Sequence, residues 1–229
     1  MRLLVHGMQS SGATSFSMFL AQRTEALALV DIPNNFAAPR LSTPLDVVAK
    51  VVITTAYPLA VHVDRFRPDR TILFLRDPRD NYVSLRSKPY RNYAGLMREK
   101  FRLLEGIFAE RDRYDAVIHY EDFVARDPDV IATVRRLGWM AEEDHFAFRR
   151  LHDDILRMLW EHEPALMDDM EVVFGNFRGR EVTDRFRDQP ADAAVDAALA
   201  ELCPRLLAYY RDRSGARHRS SRSAPVSSA

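Results

Sequence analysis

The chain has 229 residues, of which 47% are hydrophobic, so it can bury one sizeable core. Its 33 basic and 33 acidic residues give a net charge of +0, which argues against a protein that coats duplex nucleic acid and against a polybasic membrane binder. Cys203 is the only cysteine, so we expect neither a disulfide framework nor a cysteine-based zinc site. No apolar run reaches about 18 residues and the amino-terminal apolar stretch is too short for a signal peptide, so a cytoplasmic protein without membrane insertion is expected.

Short apolar runs alternate with longer stretches of helical periodicity along the chain. In chain order, strands are predicted at residues 3–6, 26–31, 51–55, 71–76 and 116–120. Helices are predicted from Ser15 onward, around 78–86, and over 92–111, 128–137, 142–160 and 192–211. This alternation predicts an α/β fold, a three-layer P-loop-like domain whose mainly parallel five-stranded sheet is flanked by helices.

The predicted domain spans residues 1–213. Residues 214–229 are rich in Ser, Arg, Ala and Pro and carry no apolar stripe, so we expect a disordered carboxyl-terminal tail. In an open parallel sheet, ligands bind at the carboxyl ends of the strands. The residues that follow each strand are therefore the first candidates for a functional site.

The first predicted strand runs into a glycine-containing loop and then into a helix. Gly7 and Gly12 are spaced as in the phosphate-binding loop G-x-x-x-x-G-K-[ST], with Thr14 in the hydroxyl position. Ala13 stands where that loop carries its lysine. Backbone N–H groups and a helix amino terminus bind anions without any side-chain charge. We therefore expect the loop to hold an anion but to be poorly equipped for ATP hydrolysis.

A second candidate anion site follows the strand predicted at 71–76. Arg76 ends that strand, Pro78 suits the first turn of a helix, and Ser84 lies about two turns further on. An arginine and a hydroxyl beside one crevice can form a phosphate site. The alternative is an ordinary strand-to-helix turn with a surface arginine.

These segments together resemble the PAPS-dependent sulfotransferases. In that family a loop of the form P-[KR]-S-G-T-T binds the 5′-phosphosulfate, and R-x-P-x-D-x-x-x-S binds the 3′-phosphate. Residues 10–14 (SSGAT) match the first motif in part, and residues 76–84 (RDPRDNYVS) match every fixed position of the second. Residues 120–123 (YEDF), followed by Asp127-Pro128, resemble the family's Y-E-D-L…D-P stretch, whose tyrosine lies near the adenine.

The resemblance covers most of residues 1–140 and continues weakly at residues 177–180 (FRGR), which resemble the carboxyl-terminal R-K-G loop that closes on the 3′-phosphate. It implies an enzyme that moves a sulfuryl group from PAPS, its co-substrate, to a hydroxyl or amine. We expect a small-molecule or glycan acceptor, no metal and no nucleic-acid partner, and the oligomeric state is left open. The cofactor-binding residues so implied are Ser10, Ser11, Gly12, Ala13, Thr14, Ser15, Arg76, Ser84, Tyr120, Arg178 and Gly179.

The first departure from the family pattern is a missing charge. The family loop carries Lys or Arg where this chain has Ser10, which can donate a hydrogen bond but brings no positive charge. Lys50 precedes the third predicted strand and is expected at the opposite end of the sheet. Lys88, Arg86 or Arg91 could swing over the crevice instead, and the alternative is that they are solvated surface charges.

The second departure concerns the catalytic base. Cytosolic family members use a histidine in K-T-H-x-P after strand three, and Ala56 stands at that position here. Other branches use a carboxylate after strand two, which makes Asp31 the candidate base. The alternative for Asp31 is a turn residue that accepts backbone N–H bonds. His6 is interpreted as a packed imidazole beside the loop, and His62, in the next helix, could face either way.

Two other functions stay open at this point. A nucleotide or small-molecule kinase would share the loop, although Ala13 counts against it because the phosphate-binding lysine is missing. A catalytically weak protein that binds PAPS or PAP is the other alternative, favoured by the uncharged Ser10 and by the replacement of the family histidine.

Overall fold

The computed structural model describes residues 1–168, 179–184 and 192–222, with side chains described as far as Arg213. One five-stranded sheet has the strand order β2-β3-β1-β4-β5. Its strands are β1 (Arg2–Met8), β2 (Leu27–Leu29), β3 (Val47–Ile53), β4 (Arg70–Leu75) and β5 (Ala116–His119). Every neighbouring pair is parallel, which confirms the predicted α/β fold.

The central strands are buried because helices cover both faces of the sheet. In β1 every residue after Arg2 is buried, and all seven residues of β3 are buried. The sequence of a strand that is buried on both faces is a continuous apolar run rather than an alternation of apolar and polar residues. The expectation that Lys50 precedes the strand, at the opposite end of the sheet, is wrong: Lys50 lies inside β3, opposite Val5. Its charge broke the apolar run, so the sequence prediction began the strand too late.

The helices connect the strands and close the two faces. They are α1 (Ala13–Leu20), α2 (Leu59–Phe66), α3 (Pro78–Arg86), α4 (Met97–Ala109), α5 (Tyr120–Val124), α6 (Pro128–Arg136), α7 (His152–His162), α8 (Pro164–Asp168), α9 (Ala193–Leu202) and α10 (Pro204–Arg222). The start of α3 is set locally, because Asp77 accepts a hydrogen bond from the Arg79 N–H and Pro78 occupies the first turn. Among the described residues, none of these helices has both the length and the apolarity needed to cross a bilayer.

Two predicted helices are divided in the structure. The helix predicted over 142–160 is wrong in its first half, which forms a 3-10 turn (Glu143–Phe146) followed by chain without regular secondary structure up to α7. At the start of this chain Ala147 forms an antiparallel bridge with Glu181. The helix predicted over 192–211 is interrupted at Cys203, because Pro204 has no N–H to continue α9. Of the predicted tail at 214–229, the first part lies in α10, which continues to Arg222, and residues 223–229 lie outside the described residues. The disorder of the tail stays a prediction.

Each face of the sheet carries its own apolar layer. On the α1 side the rings of Phe16, Phe74 and Phe123 stack or meet edge to face, with centroids 5.0 to 6.0 Å apart. On the other side α4, α9 and α10 pack over β1 and β4. Cys203 belongs to that second layer, where burial raises the pKa of its thiol to about 12, so it packs as an apolar side chain.

Candidate anion-binding site

The loop from β1 to α1 is shaped by two residues in the left-handed region of backbone space. Ser10 has φ 60° and Gly12 has φ 92°. A Cβ atom added to Gly12 would lie 2.6 Å from the Tyr120 ring, so the position requires glycine for space as well as for conformation. Tyr120 thus closes one side of the loop, and burial raises the pKa of its phenol.

The same loop leaves backbone donors unused. The Ser11 N–H donates to the Met8 carbonyl at 3.2 Å, so this amide is already engaged. No acceptor among the described residues meets the N–H groups of Gly12, Thr14 and Ser15. Three unpaired donors at the amino terminus of α1 are the arrangement that can bind an anion, and we call it the cradle.

Arg76 joins the second motif to this cradle. It follows β4 directly, is 4% exposed, and its Nη1 donates to the Ser10 carbonyl at 2.9 Å. Its guanidinium carbon lies 4.5 Å from the centroid of the Tyr120 ring, and Asp80 is 4.0 Å from Nη2. The structure therefore brings together Ser10, Gly12, Tyr120 and Arg76, which the sequence predicted to share one site.

The helix that carries the second motif is also tied to the loop. Asn81 is buried on α3 and donates from Nδ2 to the Gln9 carbonyl at 2.6 Å. Ser84 lies three residues further along α3 and is half-buried, on the same side of the helix as Asn81. Ser84 thus shares a helix face with Asn81, which bonds the loop, and its role in an anion site stays a prediction.

The Tyr-Glu-Asp stretch, residues 120–122, is hydrogen-bonded to the residue that follows Arg76. Glu121, next to Tyr120, accepts a hydrogen bond from the Asp77 N–H at 2.8 Å. Burial raises the pKa of Glu121 and also that of Asp77. Because Asp77 follows Arg76, this bond fixes the start of α5 against the start of α3.

A buried lysine stands behind the loop. Lys100 of α4 is fully buried, and its ammonium donates to Gln9 Oε1 at 2.5 Å, to the Arg91 carbonyl at 2.9 Å and to the Tyr93 carbonyl at 2.6 Å. Desolvation lowers the pKa of Lys100 to about 8. Neither Lys100 nor Gln9 was predicted from the sequence, although a lysine beside Phe101 on the apolar face of α4 was a signal.

The candidate base, Asp31, already forms an ion pair within the protein. Asp31 follows β2, and its carboxylate accepts a hydrogen bond from the Lys50 ammonium at 2.5 Å. The Lys50 side chain is 5% exposed and the Asp31 side chain 30% exposed, so the pair has one open edge. Lys50 reaches the carboxyl side of β2 from within β3, which the sequence prediction did not foresee.

Two of the three cations proposed to replace the missing charge, Arg86 and Arg91, have other partners. Arg86 forms an ion pair with Asp192 at 2.7 Å. Arg91 donates to the Lys88 carbonyl at 3.4 Å, within its own turn. That turn is held at the carboxyl edge of the sheet, because Thr55, after β3, donates to the Ala94 carbonyl at 3.0 Å.

The two histidines near the crevice are buried and neutral at physiological pH. His6 Nδ1 lies 2.7 Å from the Tyr114 hydroxyl, and desolvation lowers the pKa of His6 to about 3. His62 Nδ1 accepts a hydrogen bond from the Ala38 N–H at 3.0 Å, and desolvation lowers its pKa to about 4. His6 also lines a cavity of about 720 Å³, which runs from Thr54 after β3 along the sheet.

The carboxyl-terminal loop is described only in part. Arg178 lies outside the described residues, and Gly179 is half-buried without regular secondary structure. Burial raises the pKa of Tyr120, and the charge of Asp184 acts weakly in the same direction. No group of three His, Cys, Asp or Glu side chains converges as metal ligands within the described parts of the chain.

No protein-family model and no curated protein matches this chain. Among solved structures, a mouse sulfotransferase, SULT7A1, complexed with PAP is 13% identical, with 88% of this chain and 84% of that chain covered at a TM-score of 0.43. A sulfotransferase from Alicyclobacillus acidocaldarius is 16% identical, with 74% and 93% covered at a TM-score of 0.39. A retinol dehydratase in complex with retinol and PAP is 14% identical, with 86% and 79% covered at a TM-score of 0.40.

These three solved structures are two sulfotransferases and a retinol dehydratase, and the mouse sulfotransferase and the dehydratase were crystallised with PAP. Identities and TM-scores of this size describe a distant similarity. The functional proposal accordingly rests on this chain's own residues.

Proposed function

We propose that this protein is a sulfotransferase, which moves the sulfuryl group of PAPS to a hydroxyl or amine of an acceptor. The observation that carries the proposal is the hydrogen bond from Arg76 to the Ser10 carbonyl, beside the unpaired amides of Gly12, Thr14 and Ser15. A nucleotide with phosphates at both its 5′ and 3′ positions requires two anion sites side by side. The joined motifs supply residue types suited to both.

In this proposal the cradle stabilises the leaving group. Sulfuryl transfer resembles phosphoryl transfer, in which the group moves in line between two oxygens while negative charge collects on the leaving phosphate. The amides of Gly12, Thr14 and Ser15 would take up that charge on the 5′-phosphate. Backbone donors need no reorganisation during the reaction, which is why a loop without lysine can still contribute.

The second motif would bind the other phosphate. Arg76 offers a planar guanidinium and Ser84 a hydroxyl, and we propose that Arg178 and Gly179 close on the same phosphate. Tyr120 would border the nucleotide where it leaves the cradle. These assignments follow the family motif residue by residue and await ligand-binding measurements.

Asp31 remains the proposed general base. Its carboxylate would accept the proton of the acceptor hydroxyl, while Lys50 holds it in place from the buried side. We propose a small-molecule or glycan acceptor. The cytoplasmic location expected from the sequence belongs to the same proposal.

Nucleotide affinities test the proposal directly. Titration calorimetry with PAP, ADP and ATP should give at least about tenfold tighter binding for PAP than for ADP, because only PAP carries the 3′-phosphate. Tighter binding of ATP than of PAP would contradict the proposal and favour a kinase. Transfer from labelled PAPS over a panel of phenols, alcohols, amines and sugars then identifies the acceptor.

A second candidate is a protein that binds PAP or PAPS without turnover. It is favoured by two observations, the uncharged Ser10 in the cradle and the engagement of Asp31 by Lys50. Tight PAP binding without transfer to any acceptor of the panel would support this candidate. In that case Ser10→Lys, which places a charge where the family carries one, is expected to create measurable transfer.

A further inference from the structure

Gln9, within the cradle loop, has an orientation that is fixed by Lys100. A lysine ammonium can only donate, so the atom that faces it at 2.5 Å is the carbonyl oxygen of the Gln9 amide. Gln9 is 5% exposed, and its Nε2 has no hydrogen-bond partner within the described part of the chain. The hydroxyl of the adjoining Ser10 is buried and unpaired in the same way.

Buried donors without acceptors are costly, and a native fold retains few of them. Here two such groups, Gln9 Nε2 and Ser10 Oγ, come from consecutive residues of the loop that also leaves three amides unpaired. Both groups lack a hydrogen-bond acceptor. An anion in the cradle would satisfy all of them at once.

Lys100 is a buried charge without a matching carboxylate. Its three donors are directed to Gln9 and to two backbone carbonyls, and none of the ion pairs of the described residues includes it. Glu99, the neighbouring residue on α4, is the charged group whose field favours the ammonium. Its carboxylate is held by the Leu96 N–H at 2.7 Å. The cradle loop, residues 7–14, contains no titratable side chain, and the guanidinium of Arg91 is directed to the Lys88 carbonyl.

We propose that Gln9 is a donor to the 5′-phosphosulfate end of the bound nucleotide, and that Lys100 is a positioning residue that orients Gln9 and polarises it. The positive charge missing at Ser10 is thereby supplied by Lys100, which acts on the cradle through the side-chain amide of Gln9. This inference rests on the proposed function for the identity of the anion. The anion itself is the counter-charge that Lys100 lacks in the free protein.

Affinity for PAP tests the role of Gln9. Gln9→Met keeps the size of the side chain but removes the Nε2 donor, and we expect PAP to bind about 10- to 100-fold more weakly. Lys100→Met is expected to show a loss of similar size. Arg98→Met is the matched control, because it removes one positive charge from the exposed face of the same helix, and its PAP affinity should stay within about twofold. Wild-type affinity in Gln9→Met would overturn the proposal.

Lys100→Met also leaves two buried carbonyls unmatched, so it could unfold the site. Gln9→Glu avoids this difficulty, because the carboxylate still accepts from Lys100 while the donor is lost. We expect Gln9→Glu to melt at or above the wild-type temperature, and PAP to bind more than about 100-fold more weakly. Unchanged PAP binding by this folded variant would contradict the proposal.

Proton uptake separates positioning by charge from a purely structural role. The pKa of Lys100 is about 8 in the free protein, and a bound anion favours the ammonium and raises this pKa. Affinity for PAP should therefore be highest below pH 8 and fall as the pH rises through 8. Calorimetry at pH 8.5 in two buffers of different ionisation enthalpy should show proton uptake by the wild type and none by Lys100→Met. Absence of uptake by the wild type would overturn the role of Lys100.

Inorganic pyrophosphate, titrated in parallel, distinguishes this inference from the proposed function. If the wild type binds pyrophosphate but not PAP, the sulfotransferase proposal fails, while weaker pyrophosphate binding by Gln9→Met still supports the inference. If the wild type binds PAP tightly and Gln9→Met does so equally, the inference alone fails.

Discussion

The guanidinium of Arg76, which follows β4, donates to the backbone carbonyl of Ser10, in the loop after β1, at 2.9 Å. The two strands are neighbours in the sheet, so their following loops meet at one edge. A strand-end arginine therefore supports the cradle loop even before any ligand is present. Two motifs that lie far apart in the chain form one continuous site.

We expect Arg76→Lys to weaken PAP binding by about tenfold or more. A lysine keeps the charge but lacks the planar fork that lets one guanidinium bond the Ser10 carbonyl and face a phosphate together. Titration calorimetry measures the effect. Arg79→Lys, three residues further along in the first turn of α3 and paired with Asp77 and Asp196, is the control and should bind PAP as the wild type does.

We expect Gly12→Ala to disrupt the cradle. Alanine at φ 92° is strained by roughly 1–2 kcal/mol, and its Cβ would lie 2.6 Å from the Tyr120 ring. Both the free energy of unfolding and the affinity for PAP should fall. Urea unfolding and calorimetry give the two values. A fully stable variant with normal PAP binding would show that Tyr120 moves freely, contrary to the packing described.

We expect Asp31→Asn to lower the rate of sulfuryl transfer by about 10²- to 10⁴-fold while PAP affinity stays unchanged. The asparagine retains a hydrogen-bond acceptor for Lys50 but cannot accept the proton of the acceptor hydroxyl. Single-turnover transfer from labelled PAPS is the measurement. Asp112→Asn, exposed in the turn before β5, is the control. Normal turnover in Asp31→Asn would remove the carboxylate from the mechanism.

We expect the fold to lose stability as the pH falls below about 6.5. His6 and His62 have folded-state pKa values of about 3 and about 4, below the unfolded value of 6.5, so the unfolded chain binds more protons in this range. The stability they contribute is complete above pH 6.5 and is lost progressively below it, by about 2 kcal/mol per histidine at pH 5.

Urea unfolding at pH 7.5 and pH 5.0 measures this loss. The variant His6→Leu should lose less stability between the two values than the wild type does, and this comparison separates the histidine from carboxyl groups such as Glu121. Equal pH dependence in the two proteins would show that His6 is not responsible.

The sequence predicted the parallel sheet and the position of both anion motifs, because these depend on local patterns. Buried strands read as apolar runs, and Gly12, Arg76 and Ser84 hold positions defined by a turn, a strand end and a helical spacing. The contributions of Lys50 and Lys100 could not be predicted, since each acts across a distance set by tertiary packing. A buried lysine looks like a surface charge until the partner that holds it, Asp31 or Gln9, is known.

One element, α4, carries two contacts in opposite directions. Lys100 reaches the cradle loop, while Glu105 on the same helix accepts hydrogen bonds from the Arg205 and Leu206 N–H groups at the start of α10. Each residue of an α-helix is rotated by about 100° from the last. Insertion or deletion of a single residue between Lys100 and Glu105 would turn one contact away from its partner. The number of residues between Lys100 and Glu105 is therefore fixed by these two contacts, whereas the exposed position within the stretch, Arg102, should accept substitutions.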